Sequence, residues 1–186
     1  KGVGHLLKKN KVTVIDGEAR LAGAARLQVQ NGGKKAADVA AKHIVIATGA
    51  RARDLPNIQA DAKLIWSYKE AMVPDSVPES LLVIGSGAIG MEFASFYSRL
   101  GAEVTVVEII DRILPVEDEE ISAAALKAFQ KQGMKIHTGA SVDAVKKGKG
   151  IATATINHKD GKSESVTVER VILAVGITGN TENIGL

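Results

Sequence analysis

Residues 81–90 read LLVIGSGAIG, and this stretch decides the fold. Its first four residues form an apolar run that is too short for a typical helix, which predicts a buried strand. Gly85, Gly87 and Gly90 then follow with the spacing G-x-G-x-x-G. At this spacing the first glycine permits a tight turn, the second lets the backbone approach a pyrophosphate, and the third lets a helix pack closely on a strand. The stretch therefore predicts a strand, a phosphate-binding loop and the start of a helix at Ala88.

The residues after the loop continue this β-α-β pattern. Apolar side chains recur every three or four residues from Ile89 through Phe93 and Phe96 to Leu100, which predicts a helix with these residues on one face. Gly101 follows, in the position of a helix C-cap. Further along the chain, the pattern predicts a strand at 103–108, a helix at 118–132 and a strand at 134–138. Together these elements predict a parallel sheet with helices between its strands.

Glu108 ends the second predicted strand, 23 positions after Gly85. An acid at this distance is typical of a dinucleotide site, where it accepts hydrogen bonds from the ribose hydroxyls. A carboxylate there would also repel a 2′-phosphate, which favours NAD over NADP. Arg112, four residues further on, could soften that preference. The alternative is that Glu108 is a solvated residue at a strand end.

Glu92 lies in the first turn of the predicted helix, and two interpretations remain open. A negative charge near a helix N-terminus is favourable in itself. The same carboxylate could instead reach the nicotinamide end of a bound cofactor.

The last part of the chain changes to alternating polar and apolar residues. Segments 151–156 and 166–168 flank the turn dipeptide Asp160-Gly161, which predicts an antiparallel flap. Residues 170–176 are apolar enough for a central parallel strand.

The first part of the chain resembles this last part. Segment 9–17 is similar to 131–139, and segment 43–49 to 170–176, with a turn at Asn31-Gly32 in the first copy. We interpret this as a duplication; coincidence between two ordinary strand-and-hairpin segments is the alternative. The alignment places Lys1 opposite Ala123, so residues 81–122 have no counterpart. We therefore expect a fragment whose first nucleotide-binding half lacks its beginning, with Pro74 and Pro78 marking the link between the halves.

Composition narrows the possible functions. The 24 basic and 21 acidic residues give a net charge of +3, and they are scattered, so no nucleic-acid partner is predicted. Because the chain has no cysteine, it holds no disulfide, thiolate zinc site or cysteine redox centre of its own. The four histidines share no metal-ligand spacing, so we predict no metal site and no catalytic residue. No apolar run predicts a membrane helix, and no stretch predicts a signal peptide.

Five stretches together resemble the flavin-dependent pyridine nucleotide–disulfide oxidoreductases, and within that family the branch that acts on dihydrolipoamide. They are residues 8–17, 46–49, 83–92, 112–115 with Asp118, and 180–186. The resemblance implies an α/β fold, with a Rossmann-like parallel sheet and an antiparallel β-flap forming an NAD domain, plus part of a split FAD domain. The implied boundaries are 1–75 for the partial FAD domain and linker, 76–180 for the NAD domain, and 181–186 for a return toward the FAD domain.

The same resemblance implies the cofactor contacts. For NAD these are Gly85, Ser86, Gly87, Ala88, Ile89, Gly90, Met91, Glu92, Glu108, Val142 near the adenine and Gly176 near the nicotinamide. For FAD they are Ala19, Thr48, Gly49 and Ala50. Related enzymes often carry Arg-x-Pro-Asn after the glycine that matches Gly176, whereas this chain has ITGN at 177–180. The shape of that loop is therefore left open.

The implied activity belongs to the intact protein. Electrons would pass from dihydrolipoamide, carried by a 2-oxoacid dehydrogenase complex, to a cysteine pair and then through flavin to NAD+. The implied protein is a homodimer in the bacterial cytoplasm or the mitochondrial matrix. Alternatives within the family are a mercuric or glutathione reductase and a soluble transhydrogenase. A non-catalytic NAD-binding module is the alternative from another class, and we expect no turnover by this chain.

Overall fold

The computed structural model describes residues 2–186, so Lys1 and its alignment with Ala123 lie outside the described residues. The chain forms two compact units. The smaller comprises the chain up to Ala50 together with Gly179–Leu186, and the larger is Arg51–Thr178. The boundaries inferred from the resemblance remain predictions.

The helices are α1 Gly2–Lys9, α2 Tyr68–Met72, α3 Ala88–Arg99 and α4 Glu119–Lys131. The strands are β1 Glu18–Leu21, β2 Arg26–Asn31, β3 Lys34–Ala40, β4 Ala50–Ala52, β5 Ile65–Trp66, β6 Ser80–Ile84, β7 Glu103–Glu108, β8 Lys135–Thr138, β9 Ala140–Lys147, β10 Ala152–His158, β11 Ser163–Val168, β12 Arg170–Leu173 and β13 Ile177–Gly179. No helix among residues 2–186 is long and apolar enough to cross a membrane.

The larger unit is built on a five-stranded sheet in the order β5-β12-β6-β7-β8, and all adjacent strands are parallel. Apolar residues alternate between its faces, since successive side chains of a strand point to opposite sides. Leu82 and Ile84 pack in a cluster with residues of the flap. Leu81 and Val83 pack in a second cluster with residues of α3. The predicted parallel strands, including central β12, are confirmed.

The flap is the three-stranded antiparallel sheet β11-β10-β9. Its β10–β11 hairpin turns at Asp160-Gly161, where the Gly161 N–H donates to the His158 carbonyl at 3.0 Å. The predicted antiparallel flap is thus confirmed.

The predicted helix is confirmed as α3, but its predicted apolar face is only partly buried: Phe93 packs against the core, and the last two members of that face do not. Phe96 is 52% exposed and Leu100 50% exposed, while Met91, Ala94 and Tyr97 are buried. The reason is the close approach at the start of the helix: a Cβ on Gly90 would overlap the carbonyl oxygen of Gly85. Gly90 must therefore face the sheet, and the residues four and seven positions later share its face.

The smaller unit contains α1 and the antiparallel sheet β1-β2-β3. Its predicted turn at Asn31-Gly32 is confirmed between β2 and β3. The strands predicted within 9–17 and 43–49 are wrong, because residues 12–16 and 44–49 are irregular and Val45 is 88% exposed. A strand needs a neighbour for its N–H and C=O groups, and neither segment has one among residues 2–186.

Candidate nucleotide-binding site

A cavity of about 570 Å³ lies at the carboxyl ends of the central parallel strands of the larger unit. Ile84 and Gly85 line it from the end of β6, Glu108 from the end of β7, and Leu173 from the end of β12. Ligands of open parallel sheets bind at this edge. The full lining is Ala52, Leu55, Tyr68, Ile84, Gly85, Ser86, Gly87, Ala88, Ile89, Val107, Glu108, Ile109, Pro115, Ala140, Ser141, Val142, Asp143, Leu173, Ala174, Val175, Gly176 and Ile177.

Two of the three loop glycines are required by the fold itself. Gly85 has a φ of +98°, and a Cβ there would overlap the Ala174 carbonyl. Its N–H donates to the Val107 carbonyl at 2.9 Å, which ties the loop to β7. Gly90 faces the Gly85 carbonyl, and a Cβ there would overlap it. The close approach of β6, β12 and α3 therefore excludes side chains at both positions.

Gly87 differs from these two glycines. Its backbone, at φ −65° and ψ −179°, suits any residue, and nothing lies within 4 Å of an added Cβ. The position opens on the cavity and caps the N-terminus of α3. The first N–H groups of a helix have no intrahelical acceptor and favour an anion. The space in front of Gly87 and these N–H groups therefore fits a pyrophosphate.

Glu108 holds the loop in place. Its side chain is nearly buried, and Oε2 accepts hydrogen bonds from both the backbone N–H and the hydroxyl of Ser86 at 2.8 Å. Oε1 accepts from the Ile110 N–H at 3.1 Å. A carboxylate has about four acceptor positions, so Oε1 keeps capacity for another donor. Glu108 can thus fix the loop and still bind a ribose hydroxyl in the cavity.

Arg112 binds partners other than this carboxylate. Its guanidinium donates to Glu119 Oε1 at 2.9 Å and to the Pro115 carbonyl at 3.2 Å. Arg112 does not line the cavity. Its predicted softening of the preference for NAD therefore has no support from the geometry.

The comparisons with known proteins agree with this geometry. A family model described as pyridine nucleotide-disulphide oxidoreductase matches residues 1–186. The chain belongs to this family. Membership implies the use of a pyridine nucleotide and a flavin.

The chain is similar to dihydrolipoyl dehydrogenases of this family. It is 50% identical to the one from Rhizobium etli over 199 residues, covering 100% of the chain and 41% of the relative. It is 48% identical to the one from Zymomonas mobilis, covering 100% of the chain and 40% of the relative. The chain thus spans about two fifths of the length of these relatives.

Solved structures of the family share the fold. The crystal structure of LpdA from Mycobacterium tuberculosis has a TM-score of 0.85 at 28% identity, covering 99% of the chain and 40% of LpdA. The flavoprotein disulfide reductase RclA from Escherichia coli has a TM-score of 0.76 at 24% identity, covering 98% of the chain and 42% of RclA. The predicted α/β class is confirmed.

The cavity brings together eight of the residues predicted to contact NAD: Gly85, Ser86, Gly87, Ala88, Ile89, Glu108, Val142 and Gly176. Three others do not line it. Gly90 and Met91 are buried in the packing of α3, and Glu92 is exposed on the helix. Their roles as NAD contacts remain predictions.

Sequence reasoning missed part of the cavity wall. Ser141 and Asp143 line it from β9, where Asp143 accepts hydrogen bonds from Asn157 Nδ2 at 2.8 Å and from the Ser141 hydroxyl at 3.3 Å. Tyr68 lines it from α2. No periodicity in the sequence indicates these positions, because they depend on how the flap and α2 pack on the sheet.

The residues predicted to contact FAD all lie in the smaller unit. Ala19 is exposed on β1, and Ala50 begins β4. The side-chain amide of Asn180 donates to the Thr48 carbonyl at 3.1 Å, and the Asn180 N–H donates to the Gly49 carbonyl at 2.9 Å. Asn180 thus holds the end of the 44–49 segment. A cavity of about 220 Å³ on this unit includes none of the four predicted residues; it is lined by Glu18, Arg20, Leu21, Ala22, Gln28 and Gln30.

Proposed function

We propose that this chain is the NAD-binding part of a dihydrolipoyl dehydrogenase, an FAD-dependent protein that oxidises dihydrolipoamide and reduces NAD+. One observation carries the NAD assignment: Gly87 is the only one of the three loop glycines at which an added Cβ would meet no other atom, and it faces an open cavity. Close approach of a ligand explains a glycine there. The similarity to dihydrolipoyl dehydrogenases supports the rest of the proposal.

Different residues of the cavity contact different parts of the nucleotide in this proposal. The N-terminus of α3 binds the pyrophosphate, and Glu108 accepts from the adenosine ribose. Val142 packs near the adenine and Gly176 near the nicotinamide. Bound NAD+ supplies a hydride acceptor. The Arg53 N–H donates to the Gly176 carbonyl at 3.0 Å, which fixes the backbone where the nicotinamide would lie.

NAD is preferred over NADP in this proposal. Glu108 is nearly buried, and its charge would face a 2′-phosphate in the same place as the ribose hydroxyls. Like unit charges about 4 Å apart cost on the order of 4 kcal/mol at an effective dielectric of about 20. Arg112 is engaged by Glu119 and does not neutralise this charge.

The thiol chemistry is proposed only for the whole protein. The 186 residues contain no cysteine, and so the chain itself is expected to leave dihydrolipoamide unoxidised. Homodimer formation, docking on a 2-oxoacid dehydrogenase complex and a bacterial cytoplasmic location are proposals drawn from the same relatives. A sister reductase or transhydrogenase would differ in the residues beside its flavin. A non-catalytic NAD-binding module is the second candidate, favoured by the absence of cysteine.

Calorimetric titration of the purified chain with NAD+, NADP+ and FAD tests the binding part of the proposal. We expect weak binding of NAD+, weaker binding of NADP+ and no retained FAD. NAD+ binding is weak because the nucleotide is ordered against only the residues of this cavity. Equal affinity for NAD+ and NADP+ would contradict the role of Glu108. A yellow chain with stoichiometric flavin would contradict the expectation for the smaller unit.

The whole-protein activity needs a separate test. The uninterrupted coding sequence on both sides of these residues is expected to supply a cysteine pair beside the flavin. The lipoamide assignment fails if the full-length protein has no such pair. Turnover of dihydrolipoamide by the 186-residue chain with added FAD and NAD+ would instead contradict the expected inactivity of the chain.

A further inference from the structure

Two histidines that are far apart in the sequence meet beside the flap. His137 lies in β8, at the edge of the parallel sheet, and His158 is the last residue of β10. Their ring centroids are 5.3 Å apart, with the planes inclined at 58°. Strand β11 adds Glu164, which pairs in register with Ile156 and so projects on the same face as His158, two residues further along.

One carboxylate oxygen is shared by both imidazoles. Glu164 Oε1 lies 2.8 Å from His158 Nε2 and 3.5 Å from His137 Nδ1. The potential ligand atoms of the three residues all lie within 4.8 Å of one another. The histidine side chains are 25% and 27% exposed and that of Glu164 is 51% exposed, so an ion in solution can reach them.

We propose that His137, His158 and Glu164 form a binding site for a divalent transition-metal ion such as Zn2+. Two imidazoles and one carboxylate are a set that such ions prefer, whereas Mg2+ and Ca2+ favour oxygen ligands alone. Bonds of about 2.0–2.1 Å in a tetrahedron place ligand atoms about 3.3 Å apart. The distances of 3.5 and 2.8 Å from Glu164 Oε1 to the two imidazoles lie on either side of that spacing. Water completes the coordination.

The proposed ion would join two parts of the larger unit. His137 belongs to the parallel sheet, while His158 and Glu164 belong to the flap. His158 also pairs in register with Ala140, which lines the nucleotide cavity. An ion that binds the folded chain and not the unfolded chain raises its stability. We therefore expect Zn2+ to raise the unfolding temperature and to fix the flap against β8.

Zn2+ titration with a competing chromophoric chelator tests the site in the 186-residue chain, with and without the substitutions His137→Gln and His158→Gln. The expected result is one Zn2+ per chain, an affinity at least about tenfold lower in each variant, and loss of the Zn2+-dependent rise in unfolding temperature. His5→Gln and His43→Gln are matched controls in the smaller unit, and they should bind as the wild type does.

Two further measurements on the wild type keep the test decisive if a variant folds poorly. Co2+ should give the ligand-field absorption of a nitrogen-ligated ion, and Zn2+ should shift the imidazole NMR signals of His137 and His158 alone. The proposal is overturned if no stoichiometric Zn2+ binds, if His158→Gln binds it as tightly as the wild type, or if the shifted signals belong to His5 or His43.

Discussion

At the residue scale, the glycine loop contains two kinds of glycine. Gly85 and Gly90 are required because backbone atoms approach too closely for any side chain. Gly87 is free of such contacts and has an ordinary φ. The sequence motif shows only that three glycines recur. The structure separates those that serve the fold from the one that we assign to the ligand.

Gly85→Ala is expected to destabilise the chain by about 2–5 kcal/mol. The positive φ disfavours any Cβ by about 1–2 kcal/mol, and overlap with the Ala174 carbonyl adds a packing cost of about 1–3 kcal/mol. Urea unfolding followed by circular dichroism measures the loss. Gly87→Ala is the matched variant two residues away and should unfold close to the wild-type midpoint. Equal unfolding midpoints for the two variants would contradict the claim that the fold requires glycine at 85 and not at 87.

Glu108→Gln should weaken NAD+ binding about tenfold, because neutral hydrogen bonds replace charge-assisted ones. It should also reduce the preference for NAD+ over NADP+, since the charge that repels a 2′-phosphate is gone. Calorimetry with both nucleotides measures the two effects. Glu103→Gln, at the other end of β7 and paired with Lys135, is the control and should change neither. An unchanged NAD+/NADP+ ratio in Glu108→Gln would show that another group selects the cofactor.

At the element scale, an ion pair connects the turn before β5 with strand β9 of the flap. Asp61 Oδ1 accepts hydrogen bonds from the N–H groups of Lys63, Leu64 and Ile65 at 2.9 Å, and Oδ2 pairs with Lys147 Nζ at 2.7 Å. Burial raises the pKa of the Asp61 carboxyl, but Lys147 and these N–H groups outweigh burial and hold the pKa well below its usual range. The ionised carboxyl thus fixes the turn before β5.

Asp61→Ala should lower the free energy of unfolding by about 2–4 kcal/mol at neutral pH. Because the folded pKa is depressed, this contribution is present above about pH 4 and is lost as the pH falls toward the folded value. The difference between wild type and variant should therefore shrink in acid, as measured by urea unfolding at several pH values. Lys147→Met keeps the backbone hydrogen bonds and should cost less. A difference that is constant down to pH 2 would contradict the assignment.

The strands and helices differ in how well the pattern of apolar residues predicts them. Strands β6, β7 and β12 were predictable because buried parallel strands are largely apolar runs. The buried face of α3 was not, since Phe96 and Leu100 are apolar but the close approach at Gly90 turns Ala94 and Tyr97 inward. The apolar runs near Val14 and Val45 predicted strands, but a run cannot form a ladder without a neighbour.

At the scale of the whole molecule, the nucleotide site was more predictable than the histidine cluster. Gly85, Gly87 and Glu108 lie within one β-α-β unit. Residues of such a unit come together at a fixed separation along the sequence, so the sequence alone indicates that they meet. His137, His158 and Glu164 come from three strands of two sheets. Their meeting depends on how the flap packs against β8, and no local spacing records it. The positions of Ser141 and Asp143 on the cavity wall also depend on how the flap packs, so the sequence does not predict them.

The central claim is that the larger unit binds NAD through the open position at Gly87, and calorimetric titration of NAD+ into Gly87→Val tests it most directly. The structure predicts that the variant folds like the wild type but loses measurable NAD+ binding, because the new side chain fills the space of the pyrophosphate. Gly4→Val is the matched control, since an added Cβ at Gly4 also meets nothing within 4 Å. It should bind NAD+ as the wild type does. Equal NAD+ affinity in the wild type and in folded Gly87→Val would contradict the claim.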